Sequence, residues 1–123
     1  MQMKRIHILE NILNNRAPGN FEALILSAIL FHREDAYGVP IRQWAEEQSG
    51  KMVSVGALYT TLDRMEDKGY ISSYMGEPGP NRGGRAKKYF RVEGAGLAAL
   101  DEWRSANDRI KKGLELNPAG GAA

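Results

Sequence analysis

Apolar residues recur at helical spacing in five stretches of the chain and at strand spacing in two. Met3, Ile6, Leu9 and Leu13 predict a helix over residues 3–15, ended by Asn14-Asn15-Arg16-Ala17-Pro18-Gly19. FEALILSAILF is apolar almost all round, so the helix predicted over residues 20–34 should be central and buried, with Asn20 as its N-cap. After the turn Asp35-Ala36-Tyr37-Gly38, VPIRQWAEEQSG predicts a further helix. Pro40 stands in its first turn, Ile41, Trp44 and Ala45 on one side, and Gly50 past its end. Trp44 is expected in the core or a groove of this helix, and Glu46-Glu47 as an exposed pair.

The stretch VSVGALYTTLDRMEDKGY predicts the next helix, over residues 54–68. Ser54 is its N-cap candidate, and Gly69 stands where a left-handed residue ends a helix. YISSYM (70–75) and AKKYFRV (86–92) are rich in aromatic and β-branched residues and predict two strands of a hairpin. The loop between them, GEPGPNRGGR, is too long for a tight turn. Leu97, Leu100, Trp103, Ile110 and Leu114 predict a long helix from about Gly94 to Leu116, and the tail NPAGGAA is expected to be disordered. The predicted class is mainly α with a small β-hairpin. Three helices followed by a β-ribbon is the order of a winged helix-turn-helix, here with an extra helix at each end.

Gly56 is the odd residue of this pattern, because glycine in a helix costs about 1 kcal/mol against alanine. At about 100° per residue, Leu58, Leu62 and Met65 form one narrow core stripe. Gly56 and Thr60 lie opposite, with Arg64 toward one edge and Tyr59 and Asp63 toward the other. Two readings are open. Gly56 either packs tightly against the preceding helix, or leaves room for something outside the protein to approach the backbone. A recognition helix in a DNA major groove needs the second arrangement. Gly56 and Ala57 then admit the DNA, and Thr60 and Thr61 offer hydroxyls and methyls to base edges. Tyr59 and Arg64 reach phosphates.

The charge distribution favours that use. The net charge is only +2, but PNRGGRAKKYFR holds Arg82, Arg85, Lys87, Lys88 and Arg91 with no acid among them. A basic loop beside a helix N-terminus is an electrostatic footprint for DNA. The plainer alternative is a solvated hairpin whose edge lysines block aggregation. With 42% hydrophobic and 26% charged residues the chain is ordinary for a soluble protein, and its 123 residues are enough for one domain. There is no cysteine and there are only two histidines, His7 and His32, so neither a disulfide framework nor a transition-metal site is expected. No paired-carboxylate, Cys–His or phosphate-loop constellation points to an enzyme. No cofactor is implied. Neither a secretory pattern nor a membrane-length apolar run is present, and a cytoplasmic location is expected.

With FEALILSAIL, DAYGVPIRQWAEEQSGK, SVGALYTTLDRMEDKGYI and the GRAKKYF run in hand, the sequence resembles the PadR family of bacterial transcriptional regulators over roughly residues 20–100. The resemblance implies a dimeric repressor of a palindromic operator. By matching motif positions it implies DNA contacts from Ser54, Gly56, Ala57, Tyr59, Thr60, Thr61 and Arg64, and from Arg85, Lys87 and Lys88 of the wing, with Arg82 beside them. It assigns residues 1–19 to a helix and linker that contact the dimer partner, 20–92 to the DNA-binding domain, 93–116 to the dimerisation helix and 117–123 to a tail. The expected interface joins Leu100, Trp103, Ile110 and Leu114 to Ile6, Leu9 and Leu13.

Trp103 is either a packing anchor there or, as in family members that respond to aromatic molecules, a wall for a small aromatic effector. The family often enters its last helix through Thr-Pro-x-Gly. Val92-Glu93-Gly94-Ala95-Gly96 here lacks the Thr and the Pro, and its two glycines predict a softened joint. The remaining alternative is a winged-helix protein–protein module that does not bind DNA.

Overall fold

The computed structural model describes residues 18–77 and 86–116. The predicted N-terminal helix with Ile6, Leu9 and Leu13, the wing-tip residues Arg82 and Arg85, and the tail lie outside the described residues.

Four helices and a hairpin follow in the predicted order. They are α1 (Asn20–His32), α2 (Gly38–Ser49), α3 (Val55–Asp67), β1 (Ile71–Met75), β2 (Lys88–Val92) and α4 (Gly94–Leu116), with a 3-10 turn at Arg33–Asp35 after α1. Helix α1 is the centre: it packs against α2, α3, β2 and α4. Its Ile25, Leu26 and Ile29 are fully buried with Ile41 of α2, Leu58, Leu62 and Met65 of α3, and Phe90 of β2. Burial of each such side chain contributes about 1.5–3 kcal/mol. Gly19, and not Asn20, caps α1. Asn20 is free for another use: its Oδ1 accepts the indole N–H of Trp103 at 3.0 Å.

The turn from α2 to α3 is tightly held. Gly50 adopts φ 69° and donates to Glu46 O at 2.9 Å. Glu46, expected to be merely exposed, is half-buried, and its Oε2 accepts the Val53 N–H at 3.2 Å. Arg42 Nη1 donates to Val53 O at 3.3 Å. One residue of the turn is thereby gripped at both backbone polar atoms from α2. Ser54 then caps α3 by accepting the Ala57 N–H at 3.0 Å. At the other end Gly69 has φ 77°, and Lys68 reaches back to Glu22 of α1 at 3.1 Å.

The strands pair antiparallel from Ile71↔Val92 to Met75↔Lys88. The segment before α2 adds a third, short rung: Phe90 N–H donates to Ala36 O at 2.8 Å, and Tyr37 bridges Tyr89. The wing is thus tied directly to the N-terminus of α2. The joint into α4 is closely packed at its second glycine, Gly96. A Cβ on Gly96 would collide with the Tyr70 carbonyl oxygen and stand 2.9 Å from Val92 Cγ1, so this glycine permits a close backbone approach. Glu93 N–H donates to the same Tyr70 oxygen at 2.9 Å.

Candidate nucleic-acid interface

Helix α3 presents two faces of opposite character. Leu58, Leu62 and Met65 face the core, and Thr61 joins them with only 4% of its surface exposed. The expectation that Thr61 faces DNA is corrected by helix geometry: it lies three residues after Leu58 and four before Met65, on the core stripe. Ser54, Gly56, Ala57, Tyr59, Thr60 and Arg64 are all exposed.

The two readings of Gly56 now separate. A Cβ built there meets no protein atom within 4 Å, so no packing requirement excludes a side chain. The close-packing glycine of the α2–α3 pair is Gly38 instead, where a Cβ would collide with the hydroxyl of Tyr59. The Tyr59 side chain therefore crosses from α3 onto the start of α2.

On that side the wing base comes in. Tyr37, Gly38, Val39, Tyr59, Ala86, Lys87 and Lys88 line one open cleft of about 310 Å³. Lys87 Nζ lies 3.6 Å from the centroid of the Tyr37 ring, a cation–π contact, while Lys88 is exposed. The structure thus brings together Tyr59, Lys87 and Lys88 of the expected set and adds Tyr37 and Gly38. Sequence reasoning placed those two only in a turn. Their signal was the Tyr-Gly pair just before a helix with Pro40 in its first turn. Val55 and Met52, 54% and 94% exposed at the leading end of α3, also stand outside the expected set. Asp63 and Asp67 are exposed but sit in the later turns.

A separate groove holds both tryptophans. Phe21, Leu24, Trp44 and Trp103 help to line a groove of about 420 Å³ between α1, α2 and α4. Phe31, largely exposed, stacks on Trp44 with centroids 5.4 Å apart. Trp44 is half-buried in this groove, as expected for it. Among the described residues no group of His, Asp and Glu side chains can hold a metal ion, and no helix is long and apolar enough to cross a membrane.

An open, small-residue face on the second helix of a helix-turn-helix, next to a basic wing base, defines a DNA-binding protein of the winged-helix class. The comparisons give the same class and narrow it. Residues 25–102 match the transcriptional regulator PadR-like family. A PadR family transcription regulator from hypervirulent Clostridium difficile R20291 is similar in structure, with TM-score 0.66 and 28% identity over 80% of this chain and 97% of that one. The PadR-like transcriptional regulator of Bacillus cereus strain ATCC 14579 shares the fold at TM-score 0.66 and 23% identity, over 85% and 95% of the two chains. A transcriptional regulator from Clostridium thermocellum does so at 0.65 and 23%, over 80% and 90%. Comparison with curated protein sequences gives no match. The chain belongs to the PadR-like family of transcriptional regulators: it is a DNA-binding regulator and not an enzyme.

Proposed function

We propose that the protein acts in the cytoplasm as a homodimeric repressor, binding a palindromic operator through α3 and the wing and leaving it when a small aromatic ligand binds. The observation that carries the DNA mode is the empty surround of Gly56, on a face shared with Thr60 and Arg64, with Lys87 and Lys88 in the cleft beside neighbouring Tyr59. Gly56 and Ala57 let the duplex approach, Ser54 and Thr60 read base edges, and Tyr59 and Arg64 hold phosphates. Arg82 and Arg85 of the wing follow the flanking backbone.

The dimer reading is supported by α4. The stripe that buries Gly96 and Leu100 and half-buries Trp103 continues as Asn107, Ile110 and Leu114 in alternating steps of four and three. Ile110 and Leu114 are 63% and 59% exposed, so the seam runs past the body of its own chain. A second α4 covers it, with Ile6, Leu9 and Leu13 of the N-terminal segment completing the interface. Effector binding is supported by Trp103 and Trp44, which share the groove with Phe21.

The test is selection of genomic fragments by purified protein, followed by gel shift of the winners in rising salt. A short inverted repeat bound with a steep salt dependence is expected. Enrichment no better than that of the Arg85→Ala/Lys88→Ala double variant would overturn the DNA mode.

A further inference from the structure

Five side chains form a continuous row across one face of the wing base. Lys87 Nζ sits 3.6 Å from the Tyr37 centroid. The Tyr37 and Tyr89 rings meet edge to face at 5.6 Å, Tyr89 and Tyr74 stack at 5.6 Å, and the Arg91 guanidinium lies 5.2 Å over Tyr74. The order is cation, three aromatic rings, cation. Tyr89 needs room to lie in this row, and Gly76 supplies it: a Cβ there would collide with the Tyr89 ring. The same Gly76 donates its N–H to Lys87 O at 2.8 Å.

Lys87 is therefore held twice, by its carbonyl at the last rung before the wing loop and by its ammonium on the Tyr37 ring. A lysine otherwise spreads its charge over many rotamers of a four-carbon stem and loses that freedom on binding. Lys88, by contrast, is exposed, with its Nζ 5.7 Å from the Phe90 ring. Tyr37 itself is anchored by its bridge to Tyr89. The cleft beside Lys87 also holds Tyr59 of α3.

We propose that Tyr37 is a positioning residue for DNA binding: its ring fixes the Lys87 ammonium in advance for one backbone phosphate, seated between Lys87 and Tyr59, and so sets the register of α3 in the groove. This rests on the DNA-binding mode proposed above. Tyr37 acts through Lys87, and the row through Tyr89 to Tyr74 keeps Tyr37 in place.

The test is a double-mutant cycle on a selected operator, with affinity read against salt. Loss of one phosphate contact makes the slope of log K against log salt shallower by about 0.9. Lys87→Gln should show that loss. Tyr37→Phe should keep the wild-type salt slope, because the ring that holds Lys87 remains. Tyr37→Leu should weaken binding and flatten the slope in the wild-type background, and change neither further when Lys87→Gln is present. With Lys88→Gln it should be additive. Full additivity of Tyr37→Leu and Lys87→Gln would overturn the proposal and leave the DNA mode intact. Should Tyr37→Leu unfold, the free wild-type protein decides by NMR. The Lys87 ε-methylene protons must show an upfield ring-current shift that Tyr37→Phe keeps, and its absence overturns the proposal. Failure of wild type to bind any selected DNA removes the DNA mode, and this proposal with it.

Discussion

The hydroxyl of Tyr59 rests on the backbone of Gly38, so that the side chain of α3 crosses the start of α2 at the one place where a Cβ would be in its way. Eighteen positions later Gly56 has no such neighbour. The two glycines should respond oppositely to alanine. Gly56→Ala should stabilise the free protein by up to about 1 kcal/mol, since it removes a poor helix former from an open site. It should also weaken operator binding, because a methyl group intrudes where the duplex approaches. Gly38→Ala should displace the end of the Tyr59 side chain. That end is an exposed side-chain tip with room to swing aside, so the stability loss should be modest, about 1 kcal/mol, with a loss of DNA affinity beside it. Urea titrations and gel shifts of the two variants check both signs. Stabilisation by Gly56→Ala with unchanged affinity would mean that DNA does not come close there.

Thr60 and Thr61 are neighbours in sequence and opposites in the structure. Thr60 is exposed and Thr61 is in the core. Thr60→Ala should leave the melting temperature nearly unchanged and alter base preference by about 1–3 kcal/mol per affected pair. Thr61→Ala should do the reverse, lowering stability by about 1 kcal/mol with base preference kept. Selection of randomised sites by each variant, beside thermal melts, separates the two.

The order of elements was legible because each carries its own periodicity and stop signal: Ser54 and Gly69 around α3, Gly50 after α2, and alternation through Tyr89 and Phe90. Side-chain alliances between elements were not. Asn20 is a good cap by type, yet its carbonyl goes to Trp103, from a helix far along the chain. Glu46 looked like a surface acid because nothing local shows that a turn seven residues on presents an N–H to it. Thr61 differs for another reason. Its chemistry suits a base edge, but its position on the helix lies beside Met65 and Leu58 on the core stripe. Gly96 looked like looseness because a glycine's use depends on what approaches it, and here that is the Tyr70 carbonyl.

Gly96 should tolerate nothing larger. Unlike the contact at Gly38, the opposing atom is backbone and cannot swing away. Gly96→Ala should cost about 1–3 kcal/mol in urea denaturation. Gly94→Ala, where a Cβ meets nothing within 4 Å, should be neutral or slightly stabilising. Equal effects of the two would mean that the joint between wing and α4 is soft after all.

Glu46 should matter to DNA binding without touching DNA. Its carboxylate holds the N–H of buried Val53, the residue before the Ser54 cap. Glu46→Ala leaves that donor without its partner at a cost of about 1–3 kcal/mol and frees the turn that aims α3. Operator affinity should fall, with the salt slope retained because no phosphate contact is lost. Glu46→Gln keeps an acceptor oxygen and should recover most of both. A flattened slope in Glu46→Ala would mean that the loss runs through phosphate contacts instead.

The second half of α4 gives the sharpest check on the dimer. Beyond Asn107 every described side chain is exposed, and an isolated helical extension of this length is marginal in water. Ile110 and Leu114 lie on the stripe that earlier buries Leu100, and in the proposed dimer a second copy would bury them. Leu114→Asp, seven positions past Asn107, changes an exposed side chain and should leave the fold of the rest of the chain unchanged. It should place a charge in the seam, convert a dimeric sedimentation mass to a monomeric one at micromolar concentration, and remove tight binding to an inverted repeat. Binding to a single half-site should survive at the weak level one domain provides. A wild-type protein that sediments as a monomer, or a Leu114→Asp variant that remains dimeric and binds the full repeat as before, would show that the seam is covered by something other than a second α4.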